Sequence, residues 1–223
     1  MKLQNRQRLI FIGDSVTDMG RKRNDVEPSE GLFDPLGTGY PHVVSGLLNA
    51  VYPDVLLRIT NTGISGNTVL DLKKRWQRDV LDLKPDWLSI MIGINDVWRQ
   101  FDTPQLEEAH VPPDVYEKTL RELVTTTLPV LKGGLVLMTP YYIEPDKNNP
   151  MRKRMDEYGS ICRRIAEDTG VIFVDTQAAF DKVLKYRDAN YIAWDRVHPN
   201  IYGATVLAKA FLEAVGFDYN HAL

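Results

Sequence analysis

Short runs of apolar and β-branched residues recur along the chain, and the longer stretches between them carry an apolar residue at every third or fourth position. The short runs predict five strands, at residues 8–13, 55–60, 87–93, 135–140 and 171–176. The longer stretches predict helices at residues 69–83, 115–131 and 154–170, with one more in the segment YGATVLAKAFLEAVG. Buried strands that alternate with helices are typical of a parallel sheet covered on both faces.

The length of 223 residues suits one compact core, so we expect residues 1–223 to form a single α/β domain. Open parallel sheets bind their ligands at the carboxyl ends of the strands. The longer irregular stretches follow predicted strands or precede the last helix, at residues 20–40, 96–113, 141–150 and 187–199. We expect these stretches to form the walls of a site.

Charge and composition narrow the class of partner. The chain has 27 Lys and Arg against 30 Asp and Glu, and its net charge of -3 gives no strong attraction to nucleic acid or to an anionic membrane. The apolar run 9–12 is far shorter than the apolar region of a secretory signal or a membrane span. The single cysteine, Cys162, cannot form an internal disulfide, so we expect a buried structural thiol and a reducing, cytoplasmic compartment.

The first predicted strand ends at Gly13 and leads directly into Asp14 and Ser15. Gly13 suits a tight turn, and a serine at the start of a helix would face the crevice with its own N–H directed at any oxyanion formed on it. The alternative is that Ser15 only caps the helix, because Ser and Asp are preferred N-cap residues. As a nucleophile, Ser15 would need a base.

His198 has the neighbours of such a base in the segment WDRVHPN. Asp195, three residues earlier, could accept a hydrogen bond from Nδ1, which selects the tautomer whose Nε2 accepts the serine proton. The alternative is an ordinary polar turn before the last helix. His110 is a weaker candidate for the base, because Glu107 and Glu108 lie near it in the sequence.

Two further segments that follow predicted strands offer donors for a developing oxyanion. In NTGISGNT, Gly63 and Gly66 allow a close approach of the backbone, and an exposed N–H could donate there. In MIGINDVWR, Asn95 can present its side-chain amide at the same edge of the sheet. The alternatives are a glycine loop before a helix capped by Asn67 or Thr68, and a plain turn residue at position 95.

Candidate substrate contacts lie beside these segments. Trp98 follows Asn95, Trp194 directly precedes Asp195, and either ring could stack on a sugar or close a small acyl pocket if it is not part of the core. Asp14 and Tyr191 complete this set.

The four segments together resemble the sequence blocks of the SGNH hydrolases, also called the GDSL esterase/lipase family. GDS matches the nucleophile block with Ser15, and ISGNT matches the glycine block with Gly66. GIND matches the asparagine block with Asn95, and DRVH matches the last block with Asp195 and His198.

This resemblance implies a three-layer α/β/α sandwich of flavodoxin-like type with a central parallel sheet of about five strands. It also implies a catalytic triad of serine, histidine and aspartate that uses no metal and no cofactor. Its oxyanion hole would combine the N–H groups of Ser15 and Gly66 with the side chain of Asn95. One departure is that Val16 stands where the family's name has leucine.

The longer runs GISGNTVLDLKKRW, IMIGINDVWRQ, DTQAAF and AWDRVHP are similar to those of bacterial carbohydrate acetylesterases, especially intracellular acetylxylan esterases. This narrower resemblance implies a serine esterase that removes acetyl groups from small acetylated sugars and forms a closed homo-oligomer, with an octamer as one candidate. A lysophospholipase or thioesterase of the same family is an alternative that needs an elongated apolar channel. A non-catalytic, flavodoxin-like ligand-binding module is an alternative from another class.

Overall fold

Five parallel strands pair side by side in the computed structural model, which describes residues 1–22 and 35–221. Their spatial order is β2-β1-β3-β4-β5, which is the flavodoxin-like order. The strands are β1 (Arg8–Gly13), β2 (Arg58–Asn61), β3 (Trp87–Met91), β4 (Gly134–Met138) and β5 (Ile172–Val174). The predicted parallel sheet of five strands is therefore confirmed.

Helices cover the sheet on both faces. Within the described residues they are α1 (Ser15–Asp18), α2 (Tyr40–Val51), α3 (Val69–Asp79), α4 (Ile94–Asp102), α5 (Pro113–Thr127), α6 (Pro150–Thr169), α7 (Thr176–Val183), α8 (Ala189–Ile192) and α9 (Ile201–Ala214).

Successive side chains of each strand enter two separate cores. In β1, Ile10 and Ile12 pack in the core formed with α3, α4, α5 and α6. Leu9 and Phe11 pack in the core formed with α2, α7, α8 and α9. This alternation follows from the two-residue period of a strand, and it explains why β1, β3, β4 and β5 are mostly apolar, whereas the edge strand β2 reads RITN. The predicted three-layer α/β/α arrangement is confirmed.

Several strands are shorter than predicted, because a residue that cannot continue the strand follows each of them. β3 ends before Gly93, whose φ of 133° departs from strand geometry. β4 ends before Pro140, which has no N–H for a ladder, and β5 ends directly before Asp175, whose side chain caps α7.

The hydrophobic pattern misses some helices. It does not predict α2, which begins after Gly39 with no side-chain cap. The expectation of an irregular stretch at 96–113 is wrong at its start, because α4 runs to Asp102. α6 begins before the predicted residue 154, because Asn149 caps it and Pro150 suits the first turn.

One predicted wall of the site, the stretch 20–40, is described only in part, because its residues 23–34 lie outside the described residues.

Cys162 is fully buried, as expected, and its Sγ lies 3.3 Å from the hydroxyl of Tyr116. Burial raises the pKa of this thiol to about 12, although the contact with Tyr116 lowers it. No helix in residues 1–22 and 35–221 is long and apolar enough to cross a membrane.

Candidate active site

Ser15 lies at the carboxyl edge of the sheet, as the first residue of α1. A Cβ atom at Gly13 would lie 2.3 Å from the carbonyl oxygen of Met91, so only glycine allows this close turn out of β1. Asp14, and not Ser15, is the N-cap of α1, and its carboxylate accepts a hydrogen bond from the N–H of Val16 at 3.0 Å. The hydroxyl of Ser15 is thus left for another partner.

That partner is His198, whose Nε2 lies 2.8 Å from Oγ of Ser15. Its Nδ1 lies 2.5 Å from Oδ2 of Asp195. The other oxygen of Asp195 accepts hydrogen bonds from the N–H groups of Val197 and His198, at 3.0 and 2.8 Å. A ring that donates from Nδ1 to the carboxylate accepts at Nε2, so the Ser15 hydroxyl donates to the imidazole.

The segment after β4 holds this loop in place. The N–H of Ile143 donates to the carbonyl of Arg196 at 2.9 Å, and the hydroxyl of Tyr141 donates to the carbonyl of Val197 at 2.9 Å. Arg196 itself has a φ of 63°, and its guanidinium pairs with the buried carboxylate of Glu144. These contacts over-determine a backbone that would otherwise be strained.

The surroundings of Asp195 keep it ionised. Burial by itself would raise the pKa of this carboxyl. The hydrogen bonds from the side chain of His198 and from two backbone N–H groups outweigh burial and lower the pKa below its usual value. A carboxylate in this state stabilises the imidazolium that forms when His198 takes a proton.

Gly66 and Asn95 line the same crevice as Ser15 and His198, a space of about 600 Å³. Gly66 has a φ of 83° and is exposed. Asn95 is in the first turn of α4, and its Nδ2 donates to the carbonyl of Asn67 at 2.9 Å. An amide nitrogen carries two hydrogens, so one N–H of Asn95 remains for a ligand in the crevice.

The glycine loop does precede a capped helix, as the alternative interpretation expected: Thr68 caps α3 in a capping box with Asp71, so Asn67 is free of that role. The ring nitrogen Nε2 of His110 lies 3.2 Å from the carbonyl of Thr103, and His110 does not line the crevice.

The substrate contact expected of Asp14 is not found in the structure. Its side chain is buried and is used to cap α1. Burial raises its pKa to about 7, against the hydrogen bond from Val16 and the nearby positive charges that lower it. Burial also raises the pKa of Asp96 to about 7, and this carboxyl accepts a hydrogen bond from the N–H of Val69 at 2.9 Å.

The aromatic candidates separate. Trp98 lines the crevice, with its ring centroid 6.0 Å from that of His198. Trp194 is neither core nor part of the crevice lining: it is 82% exposed, because the extended backbone turns the preceding Ala193 inward and the next side chain outward. Tyr191 also lies outside the crevice lining, because its ring stacks on Tyr202 beside another groove.

Three further crevice residues, Gly20, Thr38 and Arg99, lie within the stretches 20–40 and 96–113 that the sequence predicts as walls. Met19 and Ser65 also line the crevice and were not predicted. Ser65 is next to Gly66, and its position beside a predicted site residue is the signal that could have found it. Ser65 donates from its N–H and its hydroxyl to one carboxylate oxygen of Asp18, at 2.9 and 2.8 Å.

This geometry suits acyl transfer. A serine hydroxyl donates to an imidazole that a carboxylate orients, and backbone and amide N–H groups lie beside it. Among the residues that the structure describes, no group of three or more His, Cys, Asp or Glu side chains could hold a metal ion.

Comparison with known proteins gives one relative over nearly the full length and a more distant one over about half of the chain. Acetylxylan esterase from Geobacillus stearothermophilus is 56% identical over 219 residues, which cover 98% of this chain and 98% of that protein. The uncharacterized lipoprotein YqeF of Bacillus subtilis (strain 168) is 30% identical over 139 residues, or 56% of each chain.

Solved structures agree. The crystal structure of the Geobacillus acetylxylan esterase matches with a TM-score of 0.95 at 56% identity, over 98% of both chains. Catalytic mutants of that esterase, in which a serine, a histidine or an aspartate is replaced by alanine, match with TM-scores of 0.96, 0.95 and 0.96. An alpha/beta hydrolase enzyme from the metagenome of Lake Arreo matches with a TM-score of 0.94 at 50% identity, over 97% of this chain and 98% of that one.

Residues 11–206 match the family model of the GDSL-like lipases and acylhydrolases, and all four segments of the site lie within that range. The chain belongs to the GDSL-like lipase/acylhydrolase family.

Proposed function

We propose that the protein is a serine esterase that removes acetyl groups from acetylated sugars, most specifically xylo-oligosaccharides. The observation that carries the reaction type is the chain of contacts from Ser15 through His198 to Asp195. The substrate class rests on the 56% identity to an acetylxylan esterase across the whole chain.

The first half of the reaction forms an acyl-enzyme. Oγ of Ser15 attacks the acetyl carbonyl carbon while Nε2 of His198 takes the hydroxyl proton. The carbonyl oxygen becomes an oxyanion, for which the N–H groups of Ser15 and Gly66 and the amide of Asn95 are the proposed donors. The tetrahedral intermediate then expels the sugar oxygen, which receives the proton from Nε2.

The second half releases acetate. A water molecule gives a proton to Nε2 and attacks the acetyl carbonyl, and the second tetrahedral intermediate expels Oγ of Ser15, which takes the proton back. Asp195 remains ionised in both halves and stabilises the imidazolium of His198, in keeping with its lowered pKa. No step uses a metal or a cofactor, so we expect EDTA to leave turnover unchanged.

We also propose the setting in which the enzyme acts. Residues 1–223 would form one domain, since the described strands make one sheet. The net charge of -3 favours a small, neutral acetylated sugar over nucleic acid or a membrane as partner, and the single cysteine fits the cytoplasm. Four exposed aromatic rings support a homo-oligomer: Tyr186, Tyr191, Trp194 and Tyr202. The octamer, as its specific form, rests on the resemblance to intracellular acetylxylan esterases.

A panel of esters tests the proposed substrate class. We expect p-nitrophenyl acetate to be cleaved much faster than the octanoate, and acetylated xylobiose to release acetate. Octanoate cleavage equal to that of the acetate, with no acetate from the sugars, would favour the lysophospholipase or thioesterase alternative. If an organophosphonate failed to label Ser15 at all, the ligand-binding module would be the better account.

A further inference from the structure

Arg75 lies on α3, outside the crevice lining, and its side chain is only 9% exposed. Its guanidinium has four acceptors. Nε donates to Oδ1 of Asn67 at 2.7 Å, and Nη1 donates to the carbonyl of Thr62 at 2.6 Å and to Oδ2 of Asp79 at 2.7 Å. Nη2 donates to the carbonyl of Gly13 at 3.0 Å.

Two of these acceptors are the backbone at the ends of neighbouring strands. Gly13 is the last residue of β1, two positions before Ser15. Thr62 follows the last residue of β2 and opens the loop that contains Gly66. One planar group therefore fixes the spacing between the nucleophile turn and the glycine loop.

Asn67 carries the contact further, to the third donor. Its side-chain oxygen accepts from Arg75, while its backbone carbonyl accepts from Nδ2 of Asn95 at 2.9 Å. Gly66, the residue before Asn67, has a left-handed backbone, and a Cβ added there would meet no atom within 4 Å, so neighbouring side chains do not hold it.

We propose that Arg75 is a positioning residue that sets the relative placement of the Ser15 N–H, the Gly66 N–H and the Asn95 amide. It acts through Gly13 and Asn67 and touches neither substrate nor reacting atoms. This inference rests on the proposed function, because it concerns the donors that would bind the oxyanion.

Lysine cannot replace this arrangement. An ammonium group keeps the charge beside Asp79 but offers its donors from one point on a flexible stem, so it cannot reach four acceptors in a plane. The loop would keep other anchors in such a variant, since Asp18 accepts from Ser65 and Arg21 donates to the carbonyl of Gly63 at 2.8 Å. Arg75→Lys is therefore expected to fold with a misplaced oxyanion site.

The test measures kcat per active site, with the active sites counted by organophosphonate titration. We expect Arg75→Lys to lower kcat for p-nitrophenyl acetate by about 10- to 100-fold while KM stays within about two-fold. Counting sites separates the two roles, because a merely structural loss would reduce the number of titrated sites and leave the turnover of each one unchanged. Arg78→Met is the matched control, since the exposed Arg78 binds the same carboxylate of Asp79 but none of the three loop acceptors.

A second variant keeps the test independent of how well Arg75→Lys folds. Asn67→Ala changes only the acceptor of Nε in a half-buried loop, and we expect kcat per site to fall by about 10-fold. In the double variant the two losses should not add, because both remove the same contact.

Two results would overturn the role of Arg75: Asn67→Ala and Arg75→Lys sites that turn over as fast as those of Arg78→Met, or losses that simply add in the double variant. Failure of the proposed function shows elsewhere, as wild-type protein that releases no acetate from acetylated xylobiose. The rate at which the phosphonate modifies Ser15 still compares the variants in that case, and we expect it to fall in parallel with kcat.

Discussion

A serine hydroxyl is a weak nucleophile at neutral pH until a base takes its proton, so the proposed reaction depends first on individual side chains. We expect Ser15→Ala to keep the fold and to lower kcat for an acetyl ester by at least ~10³-fold, because only oxyanion and binding effects remain. Steady-state kinetics with circular dichroism as the folding check measures this. Ser160→Ala, at an exposed helix position, is the control, and near wild-type turnover of Ser15→Ala would reject Ser15 as the nucleophile.

Asn95 should affect the rate more than substrate binding. Its free amide hydrogen gains most of its interaction as charge develops on the carbonyl oxygen, so Asn95→Ala should lower kcat by ~10²–10³-fold with a smaller change in KM. The exposed Asn148, replaced by alanine, serves as control. A loss confined to KM would make Asn95 a substrate-binding residue instead.

Asp14 predicts a pH dependence of stability. Its pKa is about 7 in the fold against 3.8 for the free side chain, so between these values the folded protein binds a proton that the unfolded chain has released. The free energy of unfolding therefore falls as pH rises from 3.8 to about 7. Asn keeps the capping oxygen without the charge, so Asp14→Asn should be more stable than wild type at pH 8, by about 2–4 kcal/mol at most.

Urea unfolding of the two proteins from pH 4 to pH 8 measures that difference. The gain should shrink as pH falls and become small near pH 4, where the folded state holds the proton and the unfolded chain is close to its own pKa of 3.8. A gain that stayed constant with pH would show that Asp14 is ionised throughout the range.

Residue types and spacing were enough to group Ser15, Gly66, Asn95 and His198, because each follows a strand end and parallel strand ends share one edge. They did not predict where Asp14 or Trp194 points. The orientation of Asp14 depends on which of two preferred cap residues, Asp14 or Ser15, caps α1, and that of Trp194 depends on the inward turn of Ala193; the residue pattern decides neither. Arg75 was missed because two of its four acceptors are backbone oxygens, which the residue types do not reveal.

At the scale of the element, the two glycines of the loop between β2 and α3 are required for different reasons. Sequence reasoning expects close approach at Gly63 and Gly66, and a Cβ at Gly63 would indeed lie 2.5 Å from the N–H of Asp18. At Gly66 the space is open, and its φ of 83° is the constraint. Gly66→Ala should therefore lower kcat by moving the N–H, while the melting temperature shifts by only a few degrees, for a backbone cost of about 1 kcal/mol.

Calorimetry beside kinetics separates these effects for Gly66→Ala, with Gly63→Ala as the comparison. The variant at position 63 must push α1 away and should lose far more stability. Equal stability losses at the two glycines would contradict this account.

Strands were easier to predict than helices for a physical reason. The central strands β1, β3 and β4 are buried on both faces and must be largely apolar, whereas α2 has a glycine cap and an interior Gly46 that weaken its signal. α4 starts inside a motif that suggests chemistry rather than secondary structure. Boundaries were set by caps, such as Asn149 for α6.

At the scale of the whole molecule, four aromatic side chains between residues 186 and 202 are each more than half exposed: Tyr186, Tyr191, Trp194 and Tyr202. Because closed symmetry buries such a surface, we expect light scattering at micromolar concentration to return a multiple of 25.4 kDa, with eightfold as the specific expectation. A mass equal to that of one chain would remove the proposed oligomer.

The base and its carboxylate come from one short loop near the end of the chain, while the nucleophile lies 183 positions earlier, directly after the first strand. A nascent chain that lacks the last loop cannot bring His198 to Ser15. An intermediate whose C-terminal part is undocked cannot do so either. Recovery of turnover after dilution from denaturant therefore reports closure of this long-range contact, whereas far-ultraviolet circular dichroism reports the local helices that form sooner. A delay between the two signals would measure the lifetime of an intermediate that has formed its helices but has no esterase activity.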